Sequence, residues 1–163
     1  MKRIGVKIFL ILTIALIASA LYSCSIESYS TKKIDANNAI LSYLSDNGYD
    51  VSPDSLGLVY MPLRKGNGVM PKSNDVVAFH YLGYYLNGEV FDSSYDKSRP
   101  LIVQLGENQL IKGLEYSLLK MDKGAKSKVI IPFYLAYDNM YNGPVPPYSN
   151  LVFELELIDI DTK

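Results

Sequence analysis

The chain has 163 residues, 48% of them hydrophobic, with 16 Lys+Arg against 17 Asp+Glu and a formal net charge of −1. That balance offers no basic footprint for nucleic acid, and the single cysteine excludes an intramolecular disulfide. The length is ample for one domain with its own core and small for two.

Lys2, Arg3 and Lys7 precede an apolar run over residues 8–18, and the run ends in Leu21-Tyr22-Ser23-Cys24. A charged start, an apolar stretch and a small-residue processing site are the layout of an export signal. The tetrapeptide resembles a bacterial lipobox, with Leu21 three residues before Cys24 and small Ser23 directly before it. The resemblance implies removal of residues 1–23 and lipidation of Cys24. The uncharged stretch reaches Ile26, so it also fits an uncleaved anchor barely long enough to span, and the cysteine alone also fits a buried thiol. Several acyl chains on one residue hold a protein stably on a membrane, since each buried methylene contributes about 0.8 kcal/mol. Loss of the three basic residues would leave 13 of the 16 Lys+Arg against 17 Asp+Glu, a mildly acidic mature chain.

Residues 25–33 are polar, rich in serine and threonine, and lack apolar periodicity, which predicts a tether over 24–34. A helical pattern follows: Asp35 is placed to cap it, Ala36, Ile40, Tyr43 and Leu44 share one face, and Gly48 stands where a helix ends. Asp46-Asn47-Gly48-Tyr49-Asp50 faintly resembles a calcium loop, but the remaining ligand positions are missing, so it reads as a helix C-cap and no metal site is predicted. Residues 56–63 predict a first strand, followed by a turn at Gly66-Asn67-Gly68. Helix and strand make residues 35–74 an extension ahead of a main domain at 75–163.

In that domain residues 76–86 alternate Val77, Phe79 and Tyr81 against Val76, Ala78 and His80, and Asn87-Gly88 predicts a type I′ hairpin turn into Val90-Phe91. Residues 101–105 predict another strand. Ile111, Leu114, Leu118 and Met121 recur at helical spacing, predicting a helix within 108–121 that buries one face. Strands are again predicted at 126–131 and at 151–160, where period-two alternation is clearest. Strands before and after one helix give an α+β class, an antiparallel β-sheet curled over that helix.

The chemistry-bearing segments are Glu89-Val90-Phe91-Asp92-Ser93-Ser94, Gln109-Leu110-Ile111-Lys112-Gly113-Leu114-Glu115, Ala136-Tyr137 and Val145-Pro146-Pro147. They supply aromatic and branched apolar residues, an acid and a tyrosine hydroxyl, without a nucleophile, metal set or phosphate loop. Such an inventory suits an apolar cleft better than a hydrolytic site. In this order and at this spacing, Phe-Asp-Ser-Ser, Leu-Ile-Lys-Gly-Leu, Leu-Ala-Tyr and Leu-Val-Phe-Glu-Leu-Glu-Leu resemble the FKBP-type peptidyl-prolyl cis-trans isomerases, over about residues 75–160.

The resemblance implies a curled sheet over one helix, no cofactor, and a prolyl pocket made by Tyr81, Phe91, Asp92, Leu101, Leu110, Ile111, Leu114, Tyr137, Val145 and Phe153. Within it Tyr137 would donate its hydroxyl to a substrate carbonyl, Asp92 would orient polar groups through that hydroxyl, and the Ile111 N–H would give a second anchor. Taken alone, Asp92 also suits a turn acid bonded to the Ser93-Ser94 backbone. His80, the sole histidine, reads as a hydrogen-bonded structural residue rather than a general base. Lys120, Lys123, Lys126 and Lys128 read as a solvated face that complements a helix dipole.

Departures from the family pattern concern the pocket. Leu114 stands where many members carry tryptophan, and Leu101 where an aromatic is frequent, so ring area is lost and macrolide binding should weaken. Asp138 replaces the glycine usual after Ala-Tyr, and residues 139–143 form a loop about one residue shorter. Phe133-Tyr134 replaces a more usual polar pair, as an exposed aromatic rim or as local packing.

The expectation is a lipid-anchored isomerase of the bacterial cell envelope, on the outer membrane and facing the periplasm. It would act on Xaa-Pro bonds of exported proteins. Two alternatives are a weakly catalytic or non-catalytic chaperone or assembly module with the same cleft, and a structural lipoprotein with a filled core and no cleft.

Overall fold

The computed structural model describes residues 28–161; the expected signal segment, Cys24 and the first part of the tether lie outside them. The chain divides into a unit of residues 1–32 and a unit of residues 33–163. In the first, the described residues are the entry to helix α1 (Tyr29–Asp46), where the Thr31 N–H donates to Ser28 Oγ at 3.3 Å.

The helix thus begins at Tyr29 rather than at Asp35. Serine and threonine supply no apolar period, yet they tolerate a helix that packing further along has nucleated, and it propagates back to a capping hydroxyl. Ala36, Ile40 and Leu44 are its buried residues. It ends as predicted at Gly48, whose φ of +67° lets its N–H reach Ser45 O and the Tyr49 N–H reach Leu44 O. That paired closure is a Schellman cap, so the acidic segment 46–50 is a helix end.

Strand β1 (Val59–Arg64) starts later than predicted, because the Asp54 carboxylate accepts the N–H groups of Leu56 at 2.9 Å and Leu58 at 3.1 Å and holds those residues in a turn. Then come β2 (Val76–Tyr85), β3 (Val90–Ser93), β4 (Leu101–Gln104), helix α2 (Lys112–Leu118), β5 (Lys126–Ile131), a short 3-10 turn (Phe133–Leu135) and β6 (Leu151–Asp161). The strands make one six-stranded sheet in the order β1-β5-β6-β2-β3, with β4 also paired to β2. Every pairing is antiparallel.

The β2–β3 turn differs from its prediction. Gly88 has φ +87° while Asn87 is not in the left-handed region, and Gly88 N bonds Tyr85 O while Tyr85 N bonds Glu89 O. Type I′ needs positive φ at both central residues. The loop is instead a three-residue turn closed by Gly88, and the register beyond it is bulged.

Helix α2 is also shorter than the apolar spacing suggested. Ile111 has extended dihedrals (φ −63°, ψ 147°) and precedes the helix, since the chain enters through Gly106 at φ +93° and Asn108 at φ +52°. Gly113 lies where any Cβ would collide with Ile131 of β5, so this glycine lets the helix settle on the sheet.

Phe79, Leu118, Met121, Val129, Leu155 and Leu157 centre the core on the concave side, under α2. On the opposite, convex side, Ile40 and Leu44 of α1 pack with Val59, Met61, Ile130 and Val152. The domain is therefore a curled antiparallel sheet wrapped over one helix, with an N-terminal helical extension on its back. Among the described residues, no helix is long and apolar enough to cross a membrane.

Candidate active site

The cleft opens on the concave side, and its wall is shaped by a bulge. Gly83 pairs with Asp92 and Tyr84 with Val90, so Phe91 is an extra residue in β3. A bulge redirects the side chain it carries. The Phe91 ring meets Phe153 edge-on at 5.7 Å and 87°, and lies 5.1 Å from Tyr85. Gly83 sits beneath both rings: a Cβ there would stand 2.8 Å from Phe91 and 2.9 Å from Phe153. Tyr81, two residues earlier on the same face of β2, meets Phe153 at 6.2 Å.

The rings of Tyr81, Phe91 and Phe153 border a cavity of about 580 Å³. Tyr81, Phe91, Asp92, Leu101, Leu110, Ile111, Leu114, Tyr137 and Phe153 all line it, as expected. Val145 does not: it is buried and borders an adjoining cavity of about 210 Å³ that shares Phe91, Asp92 and Tyr137. A core position at the foot of the loop explains its placement. The lining also includes Gln109, Lys112 and Ala136, which the motifs contained but which were not assigned to the pocket, Tyr134 and Asp138, singled out only as departures from the family pattern, and Asn108 and Asn142, which sequence reasoning missed. Asn108 directly precedes a recognised motif, whereas Asn142 carries no signal without the fold.

Asp92 is bonded differently from expectation. Its Oδ2 accepts the Tyr81 hydroxyl at 2.6 Å, and its Oδ1 accepts Lys97 Nζ at 2.9 Å and the Ser93 N–H at 2.9 Å. The polar pair at the cleft is thus Tyr81–Asp92, not Tyr137–Asp92. Cross-strand pairing of β2 with β3 decides this, and Asp92 also makes the local turn-acid bond to Ser93. Burial opposes its ionisation, but the hydrogen bonds from Tyr81 and Lys97 outweigh burial and hold the carboxyl below its ordinary value. Burial, then the Asp92 carboxylate, pushes the Tyr81 hydroxyl up.

Tyr137 is pushed up by burial and by the Asp92 charge, against a hydrogen bond with the Asn142 side chain. It therefore stays protonated at neutral pH and can donate. Ile111 lines the same cavity, and its N–H makes no hydrogen bond to the described residues. Tyr137 and Ile111 thus border one space. Among the described residues no group of three or more His, Cys, Asp or Glu is placed to hold a metal ion.

His80 lies outside the cleft. Its Nδ1 is 2.9 Å from Ser94 Oγ and its ring stacks on Tyr95 at 4.6 Å and 15°, a structural role. The lysine cluster is a set of ion pairs rather than a dipole complement: Lys120 with Asp54, Lys123 with Asp159, Lys126 with Glu156 and Lys128 with Glu154. No basic residue occupies the last turn of α2. Asp138 has φ +56°, the conformation that glycine usually supplies and that aspartate tolerates. Phe133 is buried and packs locally, whereas Tyr134 is half-buried, donates its hydroxyl to Asn37 and lines the cleft.

A family model described as FKBP-type peptidyl-prolyl cis-trans isomerase matches residues 68–158. The chain is 44% identical over 92 residues to FK506-binding protein 2 of Debaryomyces hansenii, covering 56% of this chain and 68% of that protein. To the FKBP-type peptidyl-prolyl cis-trans isomerase FkpA of Escherichia coli it is 39% identical over 110 residues, which is 68% of this chain but 40% of the length of FkpA. The crystal structure of FkpA superimposes with a TM-score of 0.69 at 31% identity, over 93% of this chain and 71% of that one.

Proposed function

The chain belongs to the FKBP-type peptidyl-prolyl cis-trans isomerase family, and we propose that its cleft isomerises Xaa-Pro bonds of exported proteins while Cys24 anchors it by lipid in a bacterial cell envelope. The observation that carries the catalytic half is the single cavity lined by Phe91, Phe153, Tyr81, Tyr137 and Ile111. The anchor rests on Leu21-Tyr22-Ser23-Cys24 after an apolar run, and the outer membrane facing the periplasm is the location that fits export followed by lipidation.

The mechanism needs no covalent step. A planar prolyl amide owes its barrier of about 18–20 kcal/mol to resonance that places charge on oxygen and nitrogen. Water favours that polar planar state. An apolar wall of Phe91, Phe153, Leu101, Leu110 and Leu114 favours the less polar twisted one, so taking the bond out of water lowers the barrier. Each ~1.4 kcal/mol removed is worth tenfold in rate. Tyr137 and the Ile111 N–H hold substrate carbonyls while the ring of proline is gripped. Asp92, with both oxygens occupied, fixes the Tyr81 hydroxyl and thus the rim.

A second reading, a binding module for unfolded polypeptide, is favoured by Met140 and Tyr141, 63% and 79% exposed beside cleft residue Asn142. Cis/trans relaxation of several Xaa-Pro peptides with the full chain separates the two. Acceleration supports the isomerase; relaxation at the uncatalysed rate together with binding of an unfolded protein supports the binder. Metabolic fatty-acid labelling tests the anchor: incorporation should be lost in Cys24→Ser, and an unlabelled unmutated chain sinks the lipoprotein reading.

A further inference from the structure

Helix α1 precedes the matched family region, which begins at residue 68, yet it reaches the wall of the cleft. Tyr134 lines the cavity, and its hydroxyl donates to Asn37 Oδ1 on α1 at 2.8 Å. The Lys33 ammonium stands 4.2 Å from the centre of the same ring. On another side is Gly57, at φ +82°, where any Cβ would collide with the Tyr134 hydroxyl. A tyrosine held by an amide, a cation and a glycine-sized gap has little freedom to change rotamer.

A second tie runs through Asn150. Its Nδ2 donates to Ala36 O of α1 at 2.9 Å, and its Oδ1 accepts the Phe133 N–H at 3.1 Å. The segment between these ties is short and internally closed: Ala136 N and Asp138 N both bond Phe133 O at 2.9 Å. Phe133 is buried edge-on against Tyr134 at 5.3 Å and Tyr148 at 5.2 Å. What α1 fixes at Phe133 and Tyr134 is therefore transmitted over three residues to Tyr137, the hydroxyl donor of the cleft.

We propose that Asn37, together with Asn150, is a positioning residue for the isomerase reaction: α1 sets the place of Tyr134 and, through it, of the Tyr137 hydroxyl. The inference rests on the isomerase reading of the cleft. An element outside the family domain is thereby part of the catalytic wall, acting through another residue rather than touching substrate.

The test uses the full chain and four variants, Asn37→Ala, Tyr134→Phe, the double substitution and Asn37→Asp, each first shown to unfold within a few degrees of the unmutated protein. Loss of either partner should lower kcat/KM about fivefold, chiefly in kcat, because misplacing a catalytic group weakens the transition state more than ground-state binding. The double variant should be no worse than the worse single, since the two groups share one hydrogen bond. Asn37→Asp keeps an acceptor for the hydroxyl and should retain most of the activity. Singles within about twofold of the unmutated chain, or multiplied losses in the double, overturn the proposal. The Tyr137 amide resonance reads the same tie without catalysis. It should move in Asn37→Ala and return in Asn37→Asp, and an unmoved resonance overturns the proposal even if the chain proves inactive. An inactive unmutated chain is a separate result, and it removes the isomerase reading instead.

Discussion

The two faces of the sheet are buried by different means. On the convex side an 18-residue helix lays Ile40 and Leu44 on Val59, Met61, Ile130 and Val152. Where the helix ends, the face continues in cross-strand ion pairs, Arg64 and Lys126 with Glu156 and Lys128 with Glu154. On the concave side the cover is a seven-residue helix and the segments around it. A long regular helix offers a continuous apolar stripe and closes over a sheet. A short helix flanked by loops, whose backbone groups must stay hydrogen-bonded, cannot fill a curled surface, and the unfilled part is the cleft.

Removing core from each side compares the two covers directly. Phe79→Ala empties the concave core and should cost about 4 kcal/mol, and Ile40→Ala beneath α1 about 3 kcal/mol, both read from urea unfolding of the full chain. A cost for Ile40→Ala below about 1 kcal/mol would mean that α1 merely rests on the sheet. Phe91→Ala sharpens the contrast, because that ring is half-buried and borders the cavity. It should cost no more than about 2 kcal/mol of stability yet lower kcat/KM at least about tenfold.

Smaller effects separate the polar groups at the cleft. In double-mutant cycles, Tyr81→Phe and Asp92→Asn should couple by about 1 kcal/mol, whereas Tyr137→Phe and Asp92→Asn should nearly add. Coupling of Asp92 to Tyr137 in place of Tyr81 would contradict the geometry. The smallest effect is on the convex face. Hydrogen bonding from Lys126, against burial and with Arg64, holds the Glu156 carboxyl below its ordinary value. A depressed carboxylate contributes stability that is present above the unfolded value near 4.3 and lost as pH falls through the folded value. Stability should therefore drop on acidification below about pH 4, and in Glu156→Gln the drop should be shallower by under about 1 kcal/mol.

Much of the sheet was legible in the chain. The predicted strand at 126–131 coincides with β5, and the one at 151–160 differs from β6 by a single residue. Their apolar residues fall on the faces that the two cores cover, and in 151–160 the period-two alternation makes that local information. Gly48 was readable for the same reason, since a helix end needs positive φ within one residue of the last turn. The start of α1 was not, because a polar segment with helical freedom looks like a tether until Ser28 is seen capping it.

The site divides along the same line. Residue types alone suited an apolar cleft, and the family motifs at their spacing picked out nine of its lining side chains, with Tyr137 as the implied donor. Tertiary structure decided how those side chains are connected. Asn87-Gly88 has the composition of a type I′ turn, but the pairing of β2 with β3 accepts a longer loop and a bulge, which turns Phe91 over Gly83 and gives Asp92 to Tyr81. One residue of register exchanges which side chains face the cleft, and register is settled by pairing between strands rather than within either. The link from Asn37 to Tyr134 spans 97 positions of sequence. No local pattern encodes such a contact, because it exists only after α1 has docked on the back of the sheet and the Phe133–Leu135 turn has closed beside it.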